Sequence, residues 1–272
     1  MERDRIRLLD AILLLKIGLA PVLILATSFA EYRWGHTVSG WIVGLPLTSA
    51  PVILLLALER GDGFAAASAQ GALLGLVSLS AFSLTYSLLS LRRRLGWLPS
   101  MLLGWGIYFI SSFVLEYAVV SIVVAFISVI VWLLIVSRLF PVVDAIEKMA
   151  SEGSTWSDII IRIVGAVALI FVITEYAPAL GATLSGLLTP FPIYTSVMVS
   201  TIHHRQGVTS ASQFIRGATL SLFTPAVFWL MVGSTIVAWG VGVSYSLAIA
   251  AAIALHWALF KALKKHGPTL DR

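Results

Sequence analysis

The chain has no cysteine, and charged residues make up only 11% of its 272 residues. The absence of cysteine excludes disulfide bonds, thiolate nucleophiles and cysteine-ligated metal or iron–sulfur sites. A soluble domain carries about 25% charged residues, so this chain has too few charges to cover a water-facing surface. With 59% hydrophobic residues and a mean hydropathy of +0.97, it is predicted to be an integral membrane protein.

The basic excess is modest, with a net charge of +5 and a pI near 9.7. No run of Lys or Arg is interleaved with aromatic residues outside the apolar spans, so no nucleic acid is expected as a partner. The N-terminal charges followed by an apolar run resemble a signal peptide. That run, residues 8–30, is long enough to cross a bilayer, contains Lys16 and lacks a small-x-small cleavage site, so we expect a retained helix.

Nine apolar segments are long enough to cross the hydrocarbon core as helices, which predicts an all-α integral membrane fold of about nine transmembrane helices. The segments are residues 9–31, 37–58, 63–91, 96–115, 118–139, 157–177, 181–202, 209–236 and 239–262. The third and eighth are overlong, so a tenth crossing or a re-entrant segment stays open. The polar stretch 141–157 divides the chain, and Ser154 or Ser157 is predicted to cap the span that follows.

An offset of 146 residues aligns the two halves of the chain without a gap. Roughly a quarter of the aligned positions between 16 and 82 are identical, against about a tenth expected by chance in so apolar a chain. Matches of glycine, proline and basic residues are more informative than those of leucine or alanine. They pair Lys16 with Arg162, Gly35 with Gly181, Pro46 with Pro192, Gly61 with Gly207, and Gly71 with Gly217.

The offset predicts a four-helix repeat in residues 1–116, a linking helix with an interfacial segment in 117–153, and a second four-helix repeat in 154–272. An odd number of crossings between copies makes the two repeats face opposite ways, which is the inverted-repeat plan of many secondary transporters. The sum of Lys and Arg over alternate loops places the C-terminus in the cytoplasm of a prokaryotic inner membrane. A re-entrant second segment in either repeat would change that orientation.

The second and seventh predicted spans both carry prolines near their middle. A proline in a helix removes one backbone donor and displaces the carbonyl four residues back, so it opens the helix. Interrupted helices at matching positions of two halves mark the substrate site in transporters. The candidate binding residues there are Pro46, Thr48, Ser49, Pro192, Tyr194, Thr195 and Ser196. The alternative is a plain kink, whose free carbonyls bond to hydroxyl groups of a neighbouring helix.

Lys16 and Arg162 each lie inside an apolar run. An intramembrane cation costs a few kcal/mol, so each side chain needs a partner. We expect the pair to attract an anionic substrate, or to act as gate charges on opposite faces of an inverted pair. The alternative is that both side chains snorkel to the interface, because both lie about two turns from a helix end.

Glu59 and Arg205 lie two residues before Gly61 and Gly207, which are predicted to end their helices with positive φ. The two charges are candidate gating residues, with solvated turn charges as the alternative. No metal, cofactor or enzymatic activity is expected, because zincin, P-loop and nucleophile-elbow motifs are absent and adjacent His203 and His204 point to different helix faces. The tryptophans near span ends are interpreted as interfacial anchors; they are Trp34, Trp41, Trp97, Trp105, Trp156 and Trp257.

The block from Lys16 through Gly40, Pro46 and Glu59-Arg60-Gly61 to Gly71 resembles the GlpM-like family of small inner-membrane proteins. That family is a single four-helix unit with a lysine in its first helix, a proline stretch in its second, and Glu-Arg-Gly closing that second helix. The second half matches the proline stretch at residues 186–192 but departs from the family at Arg205-Gln206. The resemblance covers roughly 70 residues in each half and implies a duplicated, fused unit, without implying a substrate.

These features predict a membrane transporter or flippase-like permease whose small or lipid-linked anionic substrate binds between the interrupted second and seventh spans. The expected partners are the lipid bilayer and that anion, with a homodimer left open. The alternative is a non-transporting accessory or lipid-binding module. It gains if the hydroxyl groups at the two breaks face lipid or packed helices rather than a cavity.

Overall fold

The computed structural model describes residues 49–141 and 155–266, together with Pro46 and a few positions between 14 and 25; within 155–266, side chains 256, 259, 260 and 262–266 are left out. The secondary structure of these residues is helical and contains no strand. The predicted all-α fold is therefore confirmed for the described part of the chain. The helices are α1 (Ser49–Arg60), α2 (Asp62–Arg92), α3 (Trp97–Glu116), α4 (Ile122–Leu139), α5 (Trp156–Leu188), α6 (Ile193–Leu220) and α7 (Phe223–His266).

Five helical segments of the described chain are long and apolar enough to cross a membrane. They are Asp62–Arg92, Trp97–Glu116, Ile122–Leu139, Trp156–Leu188 and Val208–Leu255. The outward faces of α3 and α4 are rich in exposed Leu, Ile, Val and Phe, as expected of helices that border lipid. The chain is thus a multi-pass membrane protein. The overlong third span is one continuous helix, α2, whereas the eighth is interrupted by a turn at Ser221 and Leu222.

Single glycines make the sharpest turns between helical segments. Gly61 separates α1 from α2, and Gly181, Gly207 and Gly240 divide α5, α6 and α7, all with φ between 70° and 88°. A residue with a Cβ atom rarely adopts such angles, so glycine is required there. The positive φ predicted for Gly61 and Gly207 is confirmed. Their ψ angles, 167° and 172°, are extended rather than left-handed helical, so the chain reverses direction instead of ending in a standard helix cap.

Helix α2 is the central element, since it contacts each of the other six helices. Its first half buries a face of small side chains, which lets neighbouring backbones come close; they are Ala65, Ser68, Ala69, Gly71, Ala72 and Gly75. Residues 182–190 lie directly on this face. A Cβ atom on Gly71 would overlap the carbonyl oxygen of Thr183, and one on Gly186 would overlap that of Ser68.

Helix directions follow from pairs of contacts along α2. Helix α4 runs parallel to α2, because Gln70 donates to the carbonyl of Val120 and, further along, Trp132 donates to Ser80. Helix α3 runs antiparallel, since Ser112 donates to the hydroxyl of Ser78 in the middle of α2 while Gly104 packs on Phe82, nearer its C-terminal end. Residues 182–203 run parallel to α2, from Ser68–Ala182 to Tyr86–His203.

Residues 208–238 cross α2 in the antiparallel direction. The hydroxyl groups of Ser87 and Ser212 are hydrogen-bonded near one end of the crossing. Near the other end, a Cβ atom on Gly233 would lie 3.4 Å from the carbonyl oxygen of Ala66. The 146-residue offset converts one contact into the other, because Ala66 and Ser212 are 146 positions apart, as are Ser87 and Gly233. We call such a pair of contacts reciprocal.

The helix directions separate the charges into two ends of the bundle. We call the end at which α2 and α4 finish the basic end, because it carries Arg92, Arg93, Arg94, Arg138, Arg205 and Lys261. The opposite end, the acidic end, carries Glu59, Asp62, Glu116 and Glu175 together with Arg60. Arg205 belongs to the basic end because His203, two residues earlier, contacts Tyr86 near the C-terminal end of α2. Lys261 belongs there because α7 reverses direction at Gly240 and its second segment returns towards the basic end.

Gly71→Ala is expected to destabilise the protein by about 2–3 kcal/mol, because the added methyl group meets a backbone carbonyl that cannot rotate away. Gly217→Ala, at the equivalent position of the second half, is the matched control. It has open space around it and should leave stability unchanged or raise it by up to about 1 kcal/mol. Thermal unfolding of the two detergent-purified variants measures the difference, and equal melting temperatures would contradict the close packing of α2.

Candidate functional site

The proline stretch of the second half breaks the helix between α5 and α6. Helix α5 ends at Leu188, α6 begins at Ile193, and Pro192 is its N-cap residue. In the first half, Pro46 is also outside a helix and α1 begins at Ser49. The carbonyl of each proline accepts the N–H of the residue four positions on, Ala50 or Ser196, at 2.8 Å. The predicted interruption is confirmed at Pro192. At Pro46, which we call the first break, the preceding residues lie outside the described part of the chain, so only the start of α1 and its first-turn hydrogen bond are shown.

The hydroxyl groups next to the breaks lie inside the protein. Ser49, Thr195 and Ser196 are at most 7% exposed. The hydroxyl of Ser196 accepts a hydrogen bond from the indole of Trp105 at 3.0 Å. Trp105 is therefore not the interfacial anchor that its position in the sequence predicts, because α3 packs its indole against α6.

Aromatic side chains of α3 cover the second break. The ring of Phe191 lies 5.4 Å from that of Trp105 and 5.2 Å from those of Tyr108 and Phe109. The hydroxyl of Tyr108 donates to the carbonyl of Leu187 at 2.7 Å, so one carbonyl at the end of α5 is satisfied by a neighbouring helix. Phe109 is 48% exposed, which places the outer edge of this cover at the lipid-facing surface.

An aromatic side chain from the second half of the chain also contacts the first break. The hydroxyl of Tyr245, on the segment after Gly240, donates to the carbonyl of Ala50 at 3.1 Å. Ala50 and Ser196 occupy equivalent positions under the 146-residue offset. Each break is thus contacted by the last helix of the other half, through an aromatic donor.

Arg162 is buried beside the second break, with only 1% of its surface exposed. Its guanidinium lies 4.7 Å above the ring centre of Tyr194, and it also donates to the sulfur of Met198. Both contacts are on the first turns of α6, directly after the break. The alternative, that this side chain snorkels to the interface, is wrong for Arg162, because α6 packs over it.

Asp158 adds a carboxylate one turn before Arg162, on the same face of α5. It accepts the N–H of Thr155 at 2.9 Å, while Thr155 accepts the N–H of Asp158, which forms a capping box. Thr201 on α6 donates to its other oxygen at 3.3 Å. The predicted caps, Ser154 and Ser157, are wrong, because the acidic partner of a capping box stands three residues after Thr155.

His203 and Tyr86 form a further polar contact that the sequence did not indicate. The Tyr86 hydroxyl and the Nδ1 atom of His203 are 2.8 Å apart, and the two rings meet edge-on. The sequence pattern suggested His203 as a turn residue or a metal ligand, not as a partner of Tyr86. No local signal indicates the contact, because it depends on α6 lying beside α2.

The structure brings together only some of the predicted site residues. Arg162 and Tyr194 are in contact, and Pro192, Thr195 and Ser196 lie on the same turns of α6. Glu59 and Arg205 lie at the acidic and basic ends, so they do not form a gating pair with each other. Lys16 and Thr48 lie outside the described residues.

Comparison with known proteins yields no relative, since no protein-family model, no curated protein and no solved structure matches the chain. The resemblance to the GlpM-like family therefore stays a prediction.

Thr155→Ala is expected to destabilise the first turn of α5 by about 1–2 kcal/mol, because the capping box loses its hydroxyl. Ser157→Ala removes the hydroxyl that contacts Thr155 Oγ1 but leaves both hydrogen bonds of the capping box, so as the control it should cost less than about 0.5 kcal/mol. Hydrogen exchange of the amides at 156–160 reports the local effect. If the serine variant exchanges as fast as the threonine variant, the assignment of the cap is contradicted.

Proposed function

We propose that the chain is a transporter or flippase-like permease made of two inverted four-helix repeats, with an anionic substrate held at the interrupted second and seventh spans. The observation that carries the proposal is the helix break at Pro192 beside buried Arg162, together with Pro46, 146 positions earlier, which also lies outside a helix directly before a helix start. Broken helices free backbone groups for a ligand, and Arg162 supplies a positive charge beside one of the two breaks.

Backbone angles support the repeat. Gly61 and Gly207 share φ angles of 87° and 88°, and Arg94 and Gly240 both have positive φ, at 51° and 70°. Each pair is separated by 146 residues. Gly181, the remaining described residue with positive φ, aligns with Gly35, which is outside the described residues. Helix α4 has no counterpart under this offset and serves as the linking helix.

Contacts between the halves support the inversion. A two-fold axis in the membrane plane generates contacts in reciprocal pairs. The pairs Ala66–Gly233 and Ser87–Ser212 are reciprocal in this sense, on the antiparallel crossing of α2 with residues 208–238. The proposed domain boundaries follow, with repeats in 1–116 and 154–272 and the linker in 117–153.

The proposed orientation places the basic end in the cytoplasm. Positively charged loops are retained on the cytoplasmic side of inner membranes. The six basic residues that define the basic end, against Arg60 at the acidic end, favour that assignment. The C-terminus, which follows Lys261, is then cytoplasmic in a prokaryotic inner membrane.

The described conformation corresponds to an occluded state in this proposal. Arg162 lies one turn from the break on the side of the basic end, where Tyr194, Met198 and the Asp158–Thr201 contact close the path between α5 and α6. An anion that reaches the break from the basic end would have to displace these contacts. In an inverted pair, Lys16 would occupy the corresponding place towards the acidic end.

A second candidate function is the non-transporting accessory or lipid-binding module. Two contacts favour it: Trp105 satisfies the hydroxyl of Ser196, and Tyr108 satisfies the carbonyl of Leu187, without any ligand. In such a module the breaks would serve only to pack the two halves together. The two functions differ in whether an anion binds at Arg162.

Anion binding is tested by thermal unfolding of the full chain against a panel of carboxylates, phosphates and phospholipid head groups. A ligand at about 100 times its dissociation constant should stabilise the native state by about 2.7 kcal/mol. Arg162→Gln and Lys16→Gln should lose the shift and Arg162→Lys should keep part of it, whereas Arg60→Gln, an exposed charge at the acidic end, should keep all of it.

Reconstituted vesicles loaded with the stabilising anion then measure transport. Loss of both the shift and the flux in Arg162→Gln supports the permease. A shift without flux, or no shift with any anion, favours the accessory module.

The antiparallel crossing is tested by engineered cysteine pairs, which the cysteine-free chain makes simple to interpret. Ala69→Cys with Gly233→Cys and Ser87→Cys with Ser212→Cys should each cross-link under mild oxidation, since these pairs are in contact. Ala69→Cys with Ser212→Cys is the control and should not. Cross-linking of the control pair in place of the other two would overturn the inverted arrangement.

A further inference from the structure

The basic end carries a surface that the transport proposal does not use. We call it the basic rim, the six exposed basic side chains of Arg92, Arg93, Arg94, Arg138, Arg205 and Lys261. Among the described residues of this end, the acidic group is Asp158, and its carboxylate is buried in the capping box of α5. Asp158 lies within electrostatic reach of Arg205, so the charge left without an acidic neighbour among the described residues is that of the other five side chains of the basic rim, Arg92, Arg93, Arg94, Arg138 and Lys261.

Arg94 occupies a backbone conformation that does not suit arginine. Its φ angle is 51°, and it is the one non-glycine residue with positive φ among those that the structure describes. Gly240, at the equivalent position of the second half, also has a positive φ, which glycine adopts without strain. A side chain with a Cβ atom is strained at such an angle. The chain thus carries a guanidinium at a turn where glycine would cost less.

Tryptophans place the basic rim at the level of the lipid head groups. Trp97 follows the arginine run by three residues, Trp156 begins α5, and Trp257 lies one turn before Lys261; all three are exposed. The ammonium group of Lys261 lies 3.6 Å above the ring centre of Trp257. Exposed tryptophans at helix ends sit at the membrane interface, so the neighbouring basic groups reach phosphate groups rather than bulk water.

From these observations we propose that the basic rim, centred on Arg92, Arg93 and Arg94, is a binding site for anionic phospholipid head groups. Guanidinium groups bind phosphate oxygens through paired hydrogen bonds, which favours arginine over lysine at such a site. Basic side chains next to a membrane helix strengthen binding to anionic lipid in an additive way. The site depends on insertion in the membrane and not on transport, so it stands or falls separately from the permease proposal.

The test titrates short-chain phosphatidylglycerol into the detergent-purified full chain, with phosphatidylcholine as the neutral probe. Bound lipid is counted by native mass spectrometry. Arg94→Asn removes the charge but tolerates positive φ, Arg94→Lys keeps the charge, and Arg60→Gln removes an exposed charge from the acidic end.

We expect phosphatidylglycerol to bind more tightly than phosphatidylcholine, and Arg94→Asn to weaken that binding about fivefold, which corresponds to about 1 kcal/mol for one basic side chain. Arg94→Lys should lose less than Arg94→Asn, and Arg60→Gln should bind as the parent does. Equal affinity for the two lipids, unchanged affinity in Arg94→Asn, or an equal loss in Arg60→Gln would overturn the proposal.

Arg94→Gly separates the binding role from a structural one. It should melt at a higher temperature than the parent in phosphatidylcholine, because strain at the turn is relieved. It should also bind phosphatidylglycerol as weakly as Arg94→Asn. If the glycine variant is less stable than the parent, Arg94 is held by structural contacts and the inference fails.

Discussion

The direct contact between α2 and residues 182–190 is the constraint on which the rest of the structure depends. In lipid, helices gain little from hydrophobic burial against each other, so association relies on close packing and interhelical hydrogen bonds. Gly71, Gly75 and Gly186 allow backbone to meet backbone along this contact, and Ser68 adds a hydrogen bond to Ala182. Because α2 also touches every other described helix, it fixes where the proline break lies relative to α3, α5 and α6.

Polar groups next to Pro46 and Pro192 accept hydrogen bonds from whichever helix packs over them. Trp105 and Tyr108 of α3 do this at the second break, and Tyr245 of α7 does so at the first. The last helix of each half contacts the break of the other half: α3 contacts the second break, and the segment after Gly240 contacts the first. A movement of one half would therefore change the surroundings of both breaks. Arg162 is buried under α6 for the same reason: an intramembrane cation is tolerated where protein, rather than lipid, surrounds it.

The parts of the fold that could be predicted from the sequence are those set by local backbone chemistry. Glycine and proline act within a few residues of their own position, so the break at Pro192 and the turns at Gly61 and Gly207 were foreseen. The contacts of Trp105 and His203 and the burial of Arg162 could not be predicted. Each depends on which helix lies alongside, and the local sequence does not determine that. Thr155 was missed in favour of neighbouring serines, although its spacing to Asp158 was visible in the sequence.

Turns of a single glycine leave little of the described chain outside the bilayer. Between α1 and α2, and within α5, α6 and α7, one residue replaces a loop, and the link from α2 to α3 is only four residues long. Such a protein offers water-soluble proteases, antibodies and partner proteins few places to attach along these helices. Along these helices, the surface open to other molecules is mostly the apolar face that borders lipid.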